Sequence, residues 1–437
     1  MTNFKVHFQT LVLCLFCIVK TNAQEILTIE DAVKIALENN YEIKIASNNL
    51  NINKTNVTSG NAGMLPQVTA NLTDNNGIQN LSQTRSDGTV NSLDNAKSSS
   101  LSYGVGLDWT IFDGFKMFAR LDQLKQLQKL GETQLKYTIL TKISNLNSVY
   151  YQLVNQQQQL AALDTTIEIS NQRLTLAKNR FTIGKASKLE VLNAQVDLNT
   201  DKTNQLRQKE LYANTKILLN EVMARDPTID FKVVDDIAVD KNLLLSELTA
   251  LAEKQNPELE TQIINQRISE LQLKQIKGDR YPTVNLTSGY NFADSQSGLG
   301  FTTQSSSRGL NYGLKASINL FDGSAQNRNE KIAKIEIDNA KLAIDLQNQK
   351  LNSQLASYYQ TYLTNLELIN LENENETIAK QNLDITMDKF RIGTITTLEF
   401  RTAQLNYVNA KVNYSNAQFQ AKRTEILLKE LAGNLSF

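Results

Sequence analysis

The segment RFTIGKASKLEVLNAQ, Arg180 to Gln195, returns 209 positions later as KFRIGTITTLEFRTAQ, Lys389 to Gln404. The same offset aligns Tyr103-Gly104 with Tyr312-Gly313, Phe112-Asp113-Gly114 with Phe321-Asp322-Gly323, and Leu218-Leu219 with Leu427-Leu428. Nearer the start the offset is 216, pairing Pro66-Gln67-Val68 with Pro282-Thr283-Val284 and Asn40-Tyr41 with Asn256-Pro257. A shorter loop in the second copy accounts for the change of seven. The chain therefore reads as two tandem repeats, about 24–226 and 227–437, meeting near Asp226-Pro227. A repeat explains a length that would otherwise call for two or three unrelated domains.

Each repeat keeps one internal order. A helix comes first, Ile29 to about Gly60 and Leu244 to about Lys277, with apolar residues such as Ile35, Ile43 and Leu50 at helical spacing. Pro66 and Pro282 then lead into extended chain, because proline restricts both itself and its predecessor. Strands are expected at about 66–75 and 101–112, and again at about 282–293 and 310–321. Leu101, Tyr103, Val105, Leu107, Trp109 and Ile111 alternate with small or polar residues, as do Leu310, Tyr312, Leu314, Ala316, Ile318 and Leu320. Six alternating positions make about eleven residues of strand, and a tilted strand needs ~9–11 to cross a bilayer. A soluble antiparallel sheet with one buried face writes the same pattern. The stretches Asn75 to Ser99 and Asp294 to Gly309, rich in Ser, Asn, Gly and Asp, are expected to be long solvated loops.

After each second strand comes Phe-Asp-Gly, where Asp113 and Asp322 are expected to cap a very long helix. No proline occurs from Gly114 to Thr182, so the helix runs for ~100 Å at ~1.5 Å per residue. Ile139, Leu146, Leu153, Leu160, Ile167, Leu174 and Phe181 repeat every seven residues, echoed by Leu355, Tyr362, Ile369, Leu383 and Phe390. Such a seam calls for side-by-side, left-handed supercoiled helices. Gly184 and Gly393 are expected to end these helices in the left-handed conformation. Ser187-Lys188-Leu189-Glu190 and Thr396-Thr397-Leu398-Glu399 then read as capping boxes opening the return helices. The opening segment occurs twice because each repeat makes a helical hairpin, 114–224 and 323–432.

Residues 1–23 read as an export signal: Lys5, then the apolar run Leu11 to Val19, then Thr21-Asn22-Ala23. The run is shorter than the ~20 residues of a spanning helix. Cleavage there removes Cys14, Cys17 and His7, which are all the cysteines and the one histidine of the chain. Histidine-assisted nucleophiles, His/Cys metal sites and thiol redox chemistry are excluded with them, so neither a metal, a cofactor nor an enzyme activity is expected. Equal numbers of acidic and basic side chains argue against a nucleic-acid partner.

On its tandem halves, its paired strand-to-helix Phe-Asp-Gly sites and its two tips, the whole mature chain resembles the TolC family of outer-membrane factors. The tip pattern Arg180-Phe181-x-Ile183-Gly184 leading to Leu189-Glu190-Val191-Leu192-x-Ala194-Gln195, with its counterpart in the second half, is the most specific part. The resemblance implies a mainly α fold with a β-barrel portion. Antiparallel helical hairpins form an α-barrel, and four transmembrane strands per chain close a twelve-stranded barrel in a homotrimer. It also implies an outer-membrane location, and a passive exit duct serving a periplasmic adaptor and an inner-membrane pump in efflux or type I secretion. A soluble periplasmic adaptor or structural coiled-coil protein is the alternative, and the lipid-length strands argue against it.

Position by position, the resemblance implies an entrance constriction at Glu399, with Thr402 standing where the family places a second acidic residue, and an aromatic closure at Phe390. Capping and heptad packing are the plain structural roles for Glu399 and Phe390. The family's hairpin-tying arginine falls on Ile395, so that latch is expected to be missing. The tips, with Arg180, Gly184, Ser187, Lys389, Gly393 and Thr394, are where an adaptor is expected to dock. A solvated basic face is the plain reading of their charges, which include Arg401.

Overall fold

The computed structural model describes residues 25–298 and 302–435. The export segment and the last two residues lie outside them. In chain order the elements are β1 (Glu25–Leu27), α1 (Ile29–Asn39), α2 (Tyr41–Asn56), β2 (Gln67–Thr84), β3 (Val90–Phe112), α3 (Lys116–Thr182), α4 (Lys188–Val222) and β4 (Phe231–Val233). They continue as α5 (Leu245–Gln255), α6 (Pro257–Gly278), β5 (Thr283–Ser297), β6 (Gln304–Ser317), α7 (Ala325–Ile392) and α8 (Thr397–Leu431). Among the described residues, contacts define one unit of residues 25–46, 135–257 and 348–435, and another of 47–134, 258–298 and 302–347.

The second unit holds a four-stranded antiparallel sheet in the order β2-β3-β5-β6. Register puts the apolar alternates of all four strands on one face. Ala70, Val105, Tyr290 and Leu310 lie in one row, Trp109, Leu286 and Leu314 in another. This face is exposed along its length, with Leu72, Val105, Leu310 and Tyr312 all open. Small and polar residues fill the opposite face, as in the row Asn71, Gly104, Asn291, Gly309. At Gly104 a Cβ would collide with the Tyr290 carbonyl, so only glycine lets β3 approach β5 this closely.

The strands depart from the expected limits at both ends. β2 runs on to Thr84 and β3 begins at Val90, so most of the anticipated loop from 75 to 99 is paired strand. β5 likewise reaches Ser297 and β6 starts at Gln304. Ser, Asn and Gly content reports that the side chains meet water; it does not stop backbone groups from pairing across a hairpin. At the other end β6 stops at Ser317, short of 321, where it faces Thr283. Pro282 precedes that residue and has no N–H to extend the ladder.

The Phe-Asp-Gly turns place two successive residues at positive φ, Gly114 and Phe115 (72° and 66°), then Gly323 and Ser324 (67° and 68°). A Cβ at Gly114 would overlap the Gly278 carbonyl. Asp113 and Asp322 sit one turn ahead of their helices, outside the N-cap position itself. Each still accepts from a first-turn amide, Met117 at 2.9 Å and Gln326 at 2.8 Å.

The first unit has its own core, in which Leu27, Leu146, Leu153, Leu219, Met223 and Phe231 are fully buried. β1 and β4 pair in parallel, and the Tyr150 hydroxyl donates to the Leu27 carbonyl at 2.9 Å while accepting from the Val234 amide at 3.3 Å. The helices expected as continuous from Ile29 to Gly60 and from Leu244 to Lys277 are each two helices. Asn40 and Asn256 interrupt them with extended backbone, ψ 124° and 119°. Asn40 Oδ1 accepts from Glu42 and Ile43, which caps α2. Its Nδ2 donates to the Val222 carbonyl at 3.0 Å, as Asn256 Nδ2 donates to that of Leu431 at 3.0 Å. Each buried asparagine thus also satisfies a carbonyl at the end of a long hairpin.

Candidate functional site

Both hairpin turns follow one design. The Gly184 amide donates to Phe181 and the Lys185 amide to Arg180, at 3.0 and 2.8 Å, with Gly184 at φ 73°. Gly393 and Thr394 repeat this onto Phe390 and Lys389, at 3.1 and 3.0 Å, with Gly393 at φ 82°. This is the paired-bond C-terminal cap that glycine favours. Thr394 also donates its hydroxyl to the Lys389 carbonyl at 3.1 Å, and the Lys389 side chain projects into solvent.

The return helices begin differently. Thr396 and Glu399 form a complete capping box: the hydroxyl accepts from the Glu399 amide at 3.2 Å, and Glu399 Oε2 accepts from the Thr396 amide at 2.8 Å. The Thr396 backbone and hydroxyl hold the exposed Glu399 carboxyl below its ordinary range. Ser187 accepts from the Glu190 amide at 3.3 Å, but the Glu190 carboxylate turns to Arg180 at 3.9 Å, so the first box is only half made. Thr402 lies exposed one turn beyond Glu399, its hydroxyl donating to the Leu398 carbonyl.

Arg180 and Phe390 meet. Phe390 is buried and stacks on Phe400, with ring centroids 4.9 Å apart. The Arg180 guanidinium covers the ring at 4.9 Å and donates from Nη2 to the Phe390 carbonyl at 2.5 Å. An expected docking residue on the first turn is therefore the cap of the helix ending in the second. Phe181, expected to close the first heptad seam, points outward at 43% exposure.

Arg401, read from sequence as part of a solvated face, lies in a buried cluster that sequence reasoning missed. Its guanidinium makes a bidentate pair with Asp201, Nη1 to Oδ2 at 2.8 Å and Nη2 to Oδ1 at 2.7 Å. Ser170 donates to the same carboxylate at 2.6 Å, and Gln404 donates to Ser170 and to the Thr166 carbonyl. Arg173 pairs with Asp197 at 2.7 Å. Burial lowers the Arg173 guanidinium from its ordinary value; at Arg401 the same penalty is outweighed by Asp201, and the net shift is upward. The signal was available, since Asp197, Asp201 and Arg401 fall on faces that face inward in these helices, but polarity alone does not tell a buried pair from a wet one.

Beside the cluster a groove of about 570 Å³ opens between the starts of α4 and α8, lined by Ser187, Leu189, Glu190, Thr396, Leu398 and Arg401 among others. Among the described residues no group of three or more acidic, histidine or cysteine side chains is placed to hold a metal, and no helix is long and apolar enough to cross a membrane.

Glycine-ended helical hairpins and a four-stranded antiparallel sheet that exposes one apolar face together define the fold class, that of the outer-membrane efflux proteins. The chain belongs to the outer membrane efflux protein family, whose profile matches residues 32–225 and 248–434. This family consists of channels rather than enzymes and places the chain in the outer membrane. The chain is 23% identical over 305 residues to the outer membrane protein TolC of Escherichia coli, a match covering 68% of this chain and 62% of that one. It is 20% identical to the outer membrane efflux protein BepC of Brucella suis, covering 94% and 86%. Among solved structures, the outer-membrane channel OprN shares the fold at TM-score 0.77 and 18% identity, covering 93% of this chain and 90% of that one. The CmeC outer membrane channel of Campylobacter jejuni gives 0.76 and 17%, covering 93% and 85%.

Proposed function

We propose that three copies of the chain form a passive duct through the outer membrane, through which a pump in the inner membrane exports its cargo by way of a periplasmic adaptor. The observation that carries this reading is the sheet. Its two outer strands, β2 and β6, have edges left unpaired among the described residues, and its exposed apolar face suits lipid. An open edge is not tolerated in hydrocarbon, and four strands are too few to close on themselves. Joining β6 of one copy to β2 of the next gives twelve strands and leaves no edge.

The helices support the same assembly. Leu371, Ile378, Ile385 and Ile392 form a seven-residue stripe along α7 that is exposed in the single chain, and Leu398 and Leu405 are exposed on α8. Heptad stripes of this kind are buried against other helices. A second copy of the chain is the partner that membrane closure already supplies.

Adaptor docking is assigned to the exposed turns at Gly184, Ser187, Gly393 and Thr394 and to the groove between them. The constriction is assigned to Glu399, with Thr402 beside it. Phe390 and Arg180 serve both by fixing the turns in place. The test is export in cells carrying Gly184→Trp or Gly393→Trp, with trimer assembly measured in the same cells. Lost export with intact trimers supports docking at the turns; unchanged export in both variants overturns it.

A further inference from the structure

The polar face of the sheet is almost free of charge. Through the rows that back the apolar face, it carries Gln67, Thr69, Asn71 and Thr73 on β2, and Ser102, Gly104, Gly106, Asp108 and Thr110 on β3. On β5 and β6 it carries Asn285, Thr287, Gly289, Asn291 and Ala293, then Ser307, Gly309, Asn311, Gly313, Lys315 and Ser317. Asp108 and Lys315 are the charged members. Both are exposed, and neither is paired with an opposite charge within the chain among the described residues.

Their places are regular. Asp108 stands in the row Gln67, Asp108, Thr287, Gly313, and Lys315 faces Asn285 in the adjacent row. Asp108 is on the second strand of the sheet and Lys315 on the fourth. If β6 is followed by β2 of the next copy, the order around the closed wall is unmarked, Asp, unmarked, Lys, three times over. The two signs then alternate at every second strand.

We infer that Asp108 and Lys315 form an alternating ring of three carboxylates and three ammonium groups on the lumen wall, which cancels the net field there and lets solutes of either sign leave. The inference rests on the twelve-stranded trimer proposed above. A wall bearing three like charges would instead concentrate one sign of solute and repel the other. Balanced charge two strands apart keeps the lumen hydrated without that preference. These two side chains together therefore set the charge tolerance of the exit.

The test places a reporter in the ring. Thr287 is exposed on the polar face, directly opposite Asp108 and diagonal to Lys315. In the full chain carrying Cys14→Ser, Cys17→Ser and Thr287→Cys, modification rates are measured with a cationic and an anionic methanethiosulfonate applied from outside the cell. Removing the Asp108 charge, ~5 Å away across the ladder, changes each rate about fourfold in water, and removing that of Lys315, ~7–8 Å away, about two- to threefold, in opposite directions for the two reagents. Lys315→Gln is expected to shift the ratio toward the cationic reagent and Asp108→Asn toward the anionic one. The double variant falls between the two single ones. Ratios that ignore both substitutions overturn the ring. Cross-linking of the same samples separates the causes: trimers with unmoved ratios sink this inference alone, while absence of trimers sinks the assembly on which it stands.

Discussion

The Arg401 guanidinium of α8 grips the Asp201 carboxylate of α4 through two parallel hydrogen bonds, tying the second hairpin of the chain to the first. Both side chains are buried, and Ser170 is the other donor to that carboxylate. Arg401→Ala therefore leaves a buried charge nearly alone, at a cost of about 3 kcal/mol. The double variant Arg401→Met with Asp201→Leu removes both charges and should recover most of that loss. Chemical denaturation of the parent and the two variants checks this; Arg401→Ala as stable as the parent contradicts it.

Arg180 acts on a smaller scale. Its hydrogen bond to the Phe390 carbonyl and its contact with the Phe390 ring fix the second turn from the first. Loss of a charge-assisted bond to a helix end costs about 1.5 kcal/mol locally. Arg180→Ala is expected to speed amide exchange at residues 390–394 while leaving exchange near Leu146 and Leu153 unchanged. Equal exchange at both places would show that the contact holds nothing.

The two return-helix caps should differ in strength. Thr396→Ala breaks a reciprocal box and costs about 1 kcal/mol, whereas Ser187→Ala removes a single longer bond and should cost less. The Glu399 arm also depends on pH. Its folded carboxyl is held low, so its contribution is complete above the unfolded value of ~4.3 and is lost as pH falls through the folded one. Stability differences between the parent and Glu399→Ala should be present at pH 7 and shrink at pH 3. A difference that persists unchanged at pH 3 would remove the carboxylate from the account.

Gly184 and Gly393 share a backbone but not a neighbourhood. A Cβ at Gly184 meets open space, while one at Gly393 stands 3.0 Å from Arg180 Nη2. Alanine at either site carries the left-handed penalty of about 1 kcal/mol, and at Gly393 it also presses on the Arg180 cap. Gly393→Ala should be the more destabilised of the two in denaturant. Combination with Arg180→Ala should narrow the gap.

Much of this was legible in the sequence because it depends on period and punctuation. The alternation through Leu101–Ile111 fixes one face of β3, and Gly184 and Gly393 mark the hairpin turns. What escaped depends on long-range pairing. Asn75 to Thr84 reads as loop by composition, yet every residue of it except Asn80 has a ladder partner on β3. Asn40 and Asn256 look helical until Val222 and Leu431 supply the carbonyls their side chains satisfy. Arg401 looks solvated until Asp201, 200 residues earlier, is brought beside it. The contact between Arg180 and Phe390 escaped for the same reason, since the two lie in different repeats.

The central claim is that the exposed apolar face of the four-stranded sheet meets lipid because three chains close it into a wall. Amine cross-linking of the protein in fractionated bacterial membranes tests this most directly. A product of three chains, confined to the outer-membrane fraction, is expected. A single-chain species in the soluble periplasmic fraction would contradict it.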